Sequence, residues 1–153
     1  YPVVFSTHPM DLEFANELAS RIGGTVMSNT KYLSHDLQCI MRRCELFMGM
    51  RFHSVVLASA VYSPVIGLIY APKVRGFMRL LECEEFGLEL ANLSKDSLSA
   101  TLIKGWEQRS QLQEKQRKII DELKAGAWQA ARSLRETILP SSEGKFEAAA
   151  KAI

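Results

Sequence analysis

Cysteine is scarce in this sequence. Cys39, Cys44 and Cys83 make an odd number and show no CxxC spacing. They suggest neither a disulfide framework nor a zinc site, and a reducing compartment fits the chain best. An excess of one charge is lacking too. Nineteen Lys and Arg stand against seventeen Asp and Glu, a net charge of +2. That is too small to make a nucleic-acid backbone the main partner. There is no GxGxxG, no GxxxxGK[ST], no GxSxG and no HExxH, so the common dinucleotide, P-loop, hydrolase and zincin signatures are missing. No internal repeat of useful length is present. The chain opens on Tyr1-Pro2-Val3-Val4-Phe5 without an initiator methionine or a basic n-region. A chain that starts inside an apolar, strand-like run is expected to be a piece of something longer.

Charge is also missing between His53 and Lys73, a stretch long enough to raise the question of a membrane span. Ser54, Ser59 and Ser63 interrupt it, and Ser63-Pro64 divides it. The pattern is that of a buried helix feeding a fully buried parallel strand, with no transmembrane segment.

What remains is the composition of an ordinary globular domain: 153 residues, 47% hydrophobic and 24% charged. Short apolar runs alternate with helical periodicity. Residues 3–7 predict a strand, and residues 11–22 a helix with Leu12, Ala15, Leu18, Ala19 and Ile22 on one face, stopped by Gly23-Gly24. Residues 25–28 predict a second strand, and Ser34 can cap a helix through Leu37, Ile40 and Met41. Residues 46–50 and 65–70 predict strands separated by a helix over 51–62. Pro72 opens a helix whose apolar face is Val74, Phe77, Met78 and Leu81. A fifth strand is expected within 86–93. This order implies α/β architecture: a Rossmann-like parallel sheet of about five strands with helices on both faces.

Residues 1–93 form that half, and 94–139 a helical C-terminal extension packing on it, with breaks expected at Gly105 and Gly126. Its polar middle, 107–118, reads as a solvated face. Residues 140–153 read as a tail or helical spacer.

Ligands of open parallel sheets sit beyond the carboxyl ends of the strands. Those positions hold Ser6, Thr7, His8 and Asp11, then Ser28, Asn29 and Thr30, then Arg51, Phe52, His53 and Ser54, then Tyr70 and Lys73. Arg51 and His53 fall where a strand runs into a helix, and free N–H groups there favour an anion. Arg51 offers a planar fork for carboxylate or phosphate, and His53 an imidazole of the kind that serves as a general acid or base. Lys73 starts the next helix, completing a cationic cup. Taken singly, each has an ordinary alternative: a histidine cap, an Arg51 ion pair with an acid such as Asp36, a solvated lysine. His8 can face the same crevice or be a loop residue, and His35 is expected at the surface. Cys39 and Cys44 are expected to be buried thiols. The carboxylates around Cys83 should raise its pKa. Asp11, Glu13 and Glu17 read as acidic first turns of a helix.

The run Cys44-Glu45-Leu46-Phe47-Met48-Gly49-Met50-Arg51-Phe52-His53-Ser54, followed by Pro64-Val65-Ile66-Gly67-Leu68-Ile69-Tyr70-Ala71-Pro72-Lys73-Val74, resembles the polysaccharide pyruvyl transferase family. The shared features are the Arg-x-His junction, the apolar helix and the strand ending in Tyr-x-Pro-Lys. Ala71 departs from the polar or acidic residue common there. The resemblance spans residues 3–93 and implies the C-terminal half of a GT-B-like, two-domain transferase, with its active site in the cleft between halves. It implies a cytoplasmic enzyme of cell-surface or exopolysaccharide biosynthesis. Such an enzyme moves a pyruvyl group from phosphoenolpyruvate, a co-substrate rather than a cofactor, to a sugar or glycan acceptor. His53 would be the acid/base. Arg51 would hold the donor's carboxylate or phosphate, with Lys73 assisting and Ser54, Tyr70 and His8 as further substrate contacts. The N-terminal half is absent from these residues, so the chain is expected to be inactive without it. A GT-B-like glycosyltransferase half using a nucleotide sugar, or a non-catalytic anion-binding module, are the alternatives.

Overall fold

The computed structural model describes residues 1–138, and the tail over 140–153 lies outside them. The fold is α/β. In chain order it comprises β1 (Val3–Ser6), a 3-10 turn (Pro9–Asp11), α1 (Leu12–Ile22), β2 (Thr25–Ser28) and α2 (Ser34–Met41). Then follow β3 (Phe47–Gly49), α3 (Phe52–Ala60), β4 (Val65–Ile69), α4 (Pro72–Leu80), β5 (Gly87–Glu89), α5 (Lys95–Glu107) and α6 (Arg109–Ile138). All strand pairs are parallel, as expected when helices separate the strands.

The single five-stranded sheet is not what forms. β1 pairs only with β2, and a separate sheet runs β3-β4-β5 with β4 in the centre. The rings of Phe5 and Phe47, 5.6 Å apart, bring β1 and β3 into contact. Apolar strand patterns report burial. Side chains satisfy that burial here without a backbone ladder, so the pattern could not reveal the interruption.

The core lies around β4. Val65, Ile66, Val55, Ala58, Met41, Met78, Leu81 and Cys83 are fully buried, with Phe47, Phe86, Leu112 and Ile120 beside them. The uncharged stretch after His53 is therefore α3 followed by a strand buried along nearly its whole length. Among the described residues no helix is long and apolar enough to cross a membrane.

Local chemistry explains most element ends. α1 stops at Gly23 in a left-handed conformation, φ 66°, which costs glycine nothing. Ser34 is the first residue of α2 rather than its cap. The extended Leu33 precedes it, and its N–H donates to the Asp36 carboxylate at 3.0 Å. Ser94 does cap α5, accepting from the Ser97 N–H. The helical region breaks at Gln108, not at Gly105 or Gly126, which both lie inside helices. A Cβ at Gly105 would stand 2.8 Å from Ile66 Cδ1, so this glycine serves close packing on β4. α1 buries Ala15 and Ala19 but leaves Phe14, Leu18 and Ile22 exposed, so the residues it buries fully are both alanines.

The chain divides into two compact units, Tyr1–Ile120 and Asp121–Ile153. The first includes α5 and the start of α6, whose Leu112, Gln116 and Ile120 are buried. The polar stretch over 107–118 is thus not wholly a solvated face. Gln116 accepts from the Val65 N–H at 3.1 Å and donates to the Val65 carbonyl at 3.3 Å. β5 begins its register only at Gly67, so this amide takes the place of a strand that does not reach so far. Within the second unit, residues 121–138 continue α6 with side chains exposed apart from the half-buried Lys124.

Candidate anion-binding site

β3 ends in Gly49, and a Cβ there would lie 2.7 Å from Val55 Cγ2 and 3.0 Å from Ser54 Oγ. The absent side chain lets α3 begin close against the strand. Arg51 is the extended residue before α3. Its carbonyl accepts from the Ser54 N–H at 3.0 Å and the Ser54 hydroxyl at 2.7 Å. The N–H groups of Phe52 and His53 occupy the first helical positions, which have no partner within a helix.

The Arg51 side chain is not free. Its Nε and Nη2 donate to the two oxygens of Asp11, the second bond at 2.7 Å. This fork-on-carboxylate geometry joins the exit of β1 to the start of α3. The sequence's alternative reading, an arginine paired with an acid, is realised, but with Asp11 in place of Asp36. The hydrogen bond from Arg51 holds the Asp11 carboxyl below its usual range, against the opposing effect of burial, and the positive field of His8 adds slightly. The same bond raises Arg51 further, with a contribution from Tyr70. The third guanidinium nitrogen, Nη1, makes no hydrogen bond among the described residues.

His53 is exposed, its ring edge-on to Phe52 at 5.7 Å. The Lys73 ammonium stands 5.9 Å from the Phe52 ring and 5.5 Å from the Tyr70 ring, a cation–π arrangement. Phe52 thus links His53 to Lys73. His8 is half-buried, and its Nδ1 accepts from the Met10 N–H at 3.2 Å. Ser6 donates to the His8 carbonyl at 3.0 Å, and Asn29 donates to the Thr7 carbonyl at 3.0 Å. Ser28 and Thr30 share a hydroxyl contact of 2.9 Å. These residues therefore brace the exits of β1 and β2.

Sequence reasoning missed two participants. Asp11 looked like a first-turn acid, although it already stood among the strand-end residues. Phe52 also stood among the strand-end residues, but nothing in the spacing showed its ring contacts. Among the described residues no group of three His, Cys, Asp or Glu could hold a metal ion.

Neither Cys39 nor Cys44 is the fully buried thiol expected. Cys39 is exposed, its Sγ 4.0 Å from His35 Nδ1 on the same helix, because α2 turns Leu37 and Met41 to the core instead. Cys44 is half-buried, and Cys83 is fully buried. Burial is the main cause of the raised Cys83 pKa, with Glu85 and Glu84 adding smaller contributions.

No family model, no curated protein and no solved structure matches this chain.

Proposed function

We propose that the chain is one wall of a transferase cleft, of the pyruvyl transferase type, that binds phosphoenolpyruvate at the start of α3. The observation that carries this reading is the held arginine. Asp11 takes one edge of the Arg51 guanidinium and leaves Nη1 and the free N–H groups of Phe52 and His53 for an anion. An arginine fixed by its own carboxylate loses less side-chain freedom when ligand binds. Lys73, beside Tyr70, adds a second cation one strand away.

In this reading a ketal forms on the acceptor sugar. Two acceptor hydroxyls add to C2 of phosphoenolpyruvate, one proton goes to C3, and phosphate departs with the other. His53, exposed and two residues after Arg51, moves these protons as acid and base. The other wall, with its acceptor contacts, is the half of the enzyme that precedes these residues, and the enzyme works in polysaccharide biosynthesis in the cytoplasm.

The test is binding in the longest native chain. Phosphoenolpyruvate should raise the melting temperature, Arg51→Ala should abolish the rise, and nucleotides should not compete. Stabilisation by a nucleotide diphosphate instead would favour a nucleotide-sugar glycosyltransferase. Arg51-dependent binding without turnover would leave a non-catalytic anion-binding module.

A further inference from the structure

The other end of the same strands carries a second cationic feature. Cys44 and Glu45 lead into β3 and Pro64 into β4, and around them lies a cleft of about 140 Å³. Its charged lining is Arg42 and Arg43 from the end of α2, Arg109 from the start of α6, and Glu45. Three arginines against one glutamate leave +2 (3 − 1) in this one cleft, equal to the formal net charge of the whole chain.

The partners of these groups differ. Arg109 is held: Nη1 donates to the Trp106 carbonyl at 2.7 Å, Nε to Glu45 at 3.3 Å, and the guanidinium lies 4.6 Å from the Trp106 ring centre. Glu45 is thereby spent on Arg109. Arg42 and Arg43, adjacent in the chain, have no ion pair or side-chain hydrogen bond among the described residues, and neither does the Ser110 hydroxyl on the cleft wall. Arg42 and Arg43 thus bring two uncompensated positive charges to the cleft, which a ligand with two negative charges would match. Size narrows the choice. The cleft is far above the roughly 10–15 Å³ that one water needs and below the roughly 300 Å³ where pockets for drug-sized ligands begin. Its lining is polar rather than aromatic, which suits a small oxyanion and offers no platform for a base.

We infer that the cleft between Arg42, Arg43 and Arg109 binds a phosphate group, either free as phosphate or pyrophosphate or at the end of a small phosphate monoester. It lies across β3 and β4 from Arg51, so it is a separate site and does not depend on the proposed transferase reading. Its chemistry is binding alone, with no bond made or broken.

Trp106 provides the readout, since Arg109 stacks on it and also lines the cleft. Inorganic phosphate, inorganic pyrophosphate and phenyl phosphate are each titrated into the whole chain, with potassium chloride at matched ionic strength as the blank. Tryptophan fluorescence and calorimetry are both followed. A saturable response is expected, strongest for pyrophosphate or the monoester. The Trp106 fluorescence response should weaken at least tenfold in Arg42→Ala/Arg43→Ala and be lost in Arg43→Glu. Tighter binding of phenyl phosphate than of inorganic phosphate would identify a monoester as the ligand, and the reverse order the free ion. Both substituted arginines are exposed, so circular dichroism should show an intact fold. A response no greater than that to chloride, or one equal in the double variant, would overturn the inference.

Discussion

Arg51 and Asp11, forty residues apart, are joined by two hydrogen bonds, one to each carboxylate oxygen. The pair ties the exit of β1 to the start of α3, the helix that follows β3, and β1 and β3 share no backbone ladder. Its pH dependence follows from the lowered Asp11 pKa. A carboxylate depressed in the folded state contributes fully above its unfolded value, 3.8. That contribution disappears as the pH falls through the lower folded value. Both side chains are about a third or more exposed, so solvent screening keeps the contribution to about 1 kcal/mol or less. Urea melts of Asp11→Asn should show that loss at pH 7 and a weaker dependence below pH 4. An acid limb identical to that of the unchanged chain would contradict the assignment.

Gly49 controls how closely α3 approaches β3. In Gly49→Ala the new methyl meets Val55 Cγ2, Phe47 Cε1 and Ser54 Oγ, all at 3.0 Å or less. The β-branched Val55 has little rotamer freedom to yield. The expected cost is about 1–3 kcal/mol in equilibrium denaturation. The displaced helix start should also weaken anion binding at Arg51 more than lost stability alone accounts for.

Gln116 completes the edge of β4. Gln116→Leu keeps a similar volume but removes both bonds to Val65. It should cost about 2–4 kcal/mol, because a buried N–H and a buried carbonyl lose their partners together. Gln113→Ala, which removes one bond from an exposed side chain to the Tyr62 carbonyl, should cost no more than about 1 kcal/mol. Equal effects would mean that Gln116 acts through bulk rather than as a substitute strand.

The three thiols should separate by access. Ellman's reagent is expected to label Cys39 in the native state at once, Cys44 slowly, and Cys83 only on unfolding. Exposure of Cys39, partial burial of Cys44 and full burial of Cys83 set that order. Rapid native labelling of Cys83 would contradict its place in the core.

Local periodicity made the alternation of strands and helices legible. Val65–Ile69 read correctly as a buried strand, and Val74, Met78 and Leu81 as a core face, because burial imprints directly on residue type. The break between β1 and β3 was not legible, since a missing ladder leaves no mark on side-chain chemistry. Nor was the exposure of Leu18 and Ile22 on α1, because an apolar face does not say how much of it another element reaches. At the site, the strand-end rule pointed to Arg51, His53 and Lys73. The pairing of Arg51 with Asp11 is a contact across forty residues, and spacing carries no information about it.

On the proposed reading, His53 performs proton transfer beside an anion held by Arg51. The direct measurement is phosphoenolpyruvate-dependent pyruvylation of a glycan acceptor by the longest native chain, with and without His53→Ala. His53 is exposed, so its loss should leave stability within about 0.5 kcal/mol. The rate should fall by roughly 100-fold to 10,000-fold, the usual contribution of a general acid or base. Pyruvylation at an unchanged rate in His53→Ala would contradict the account.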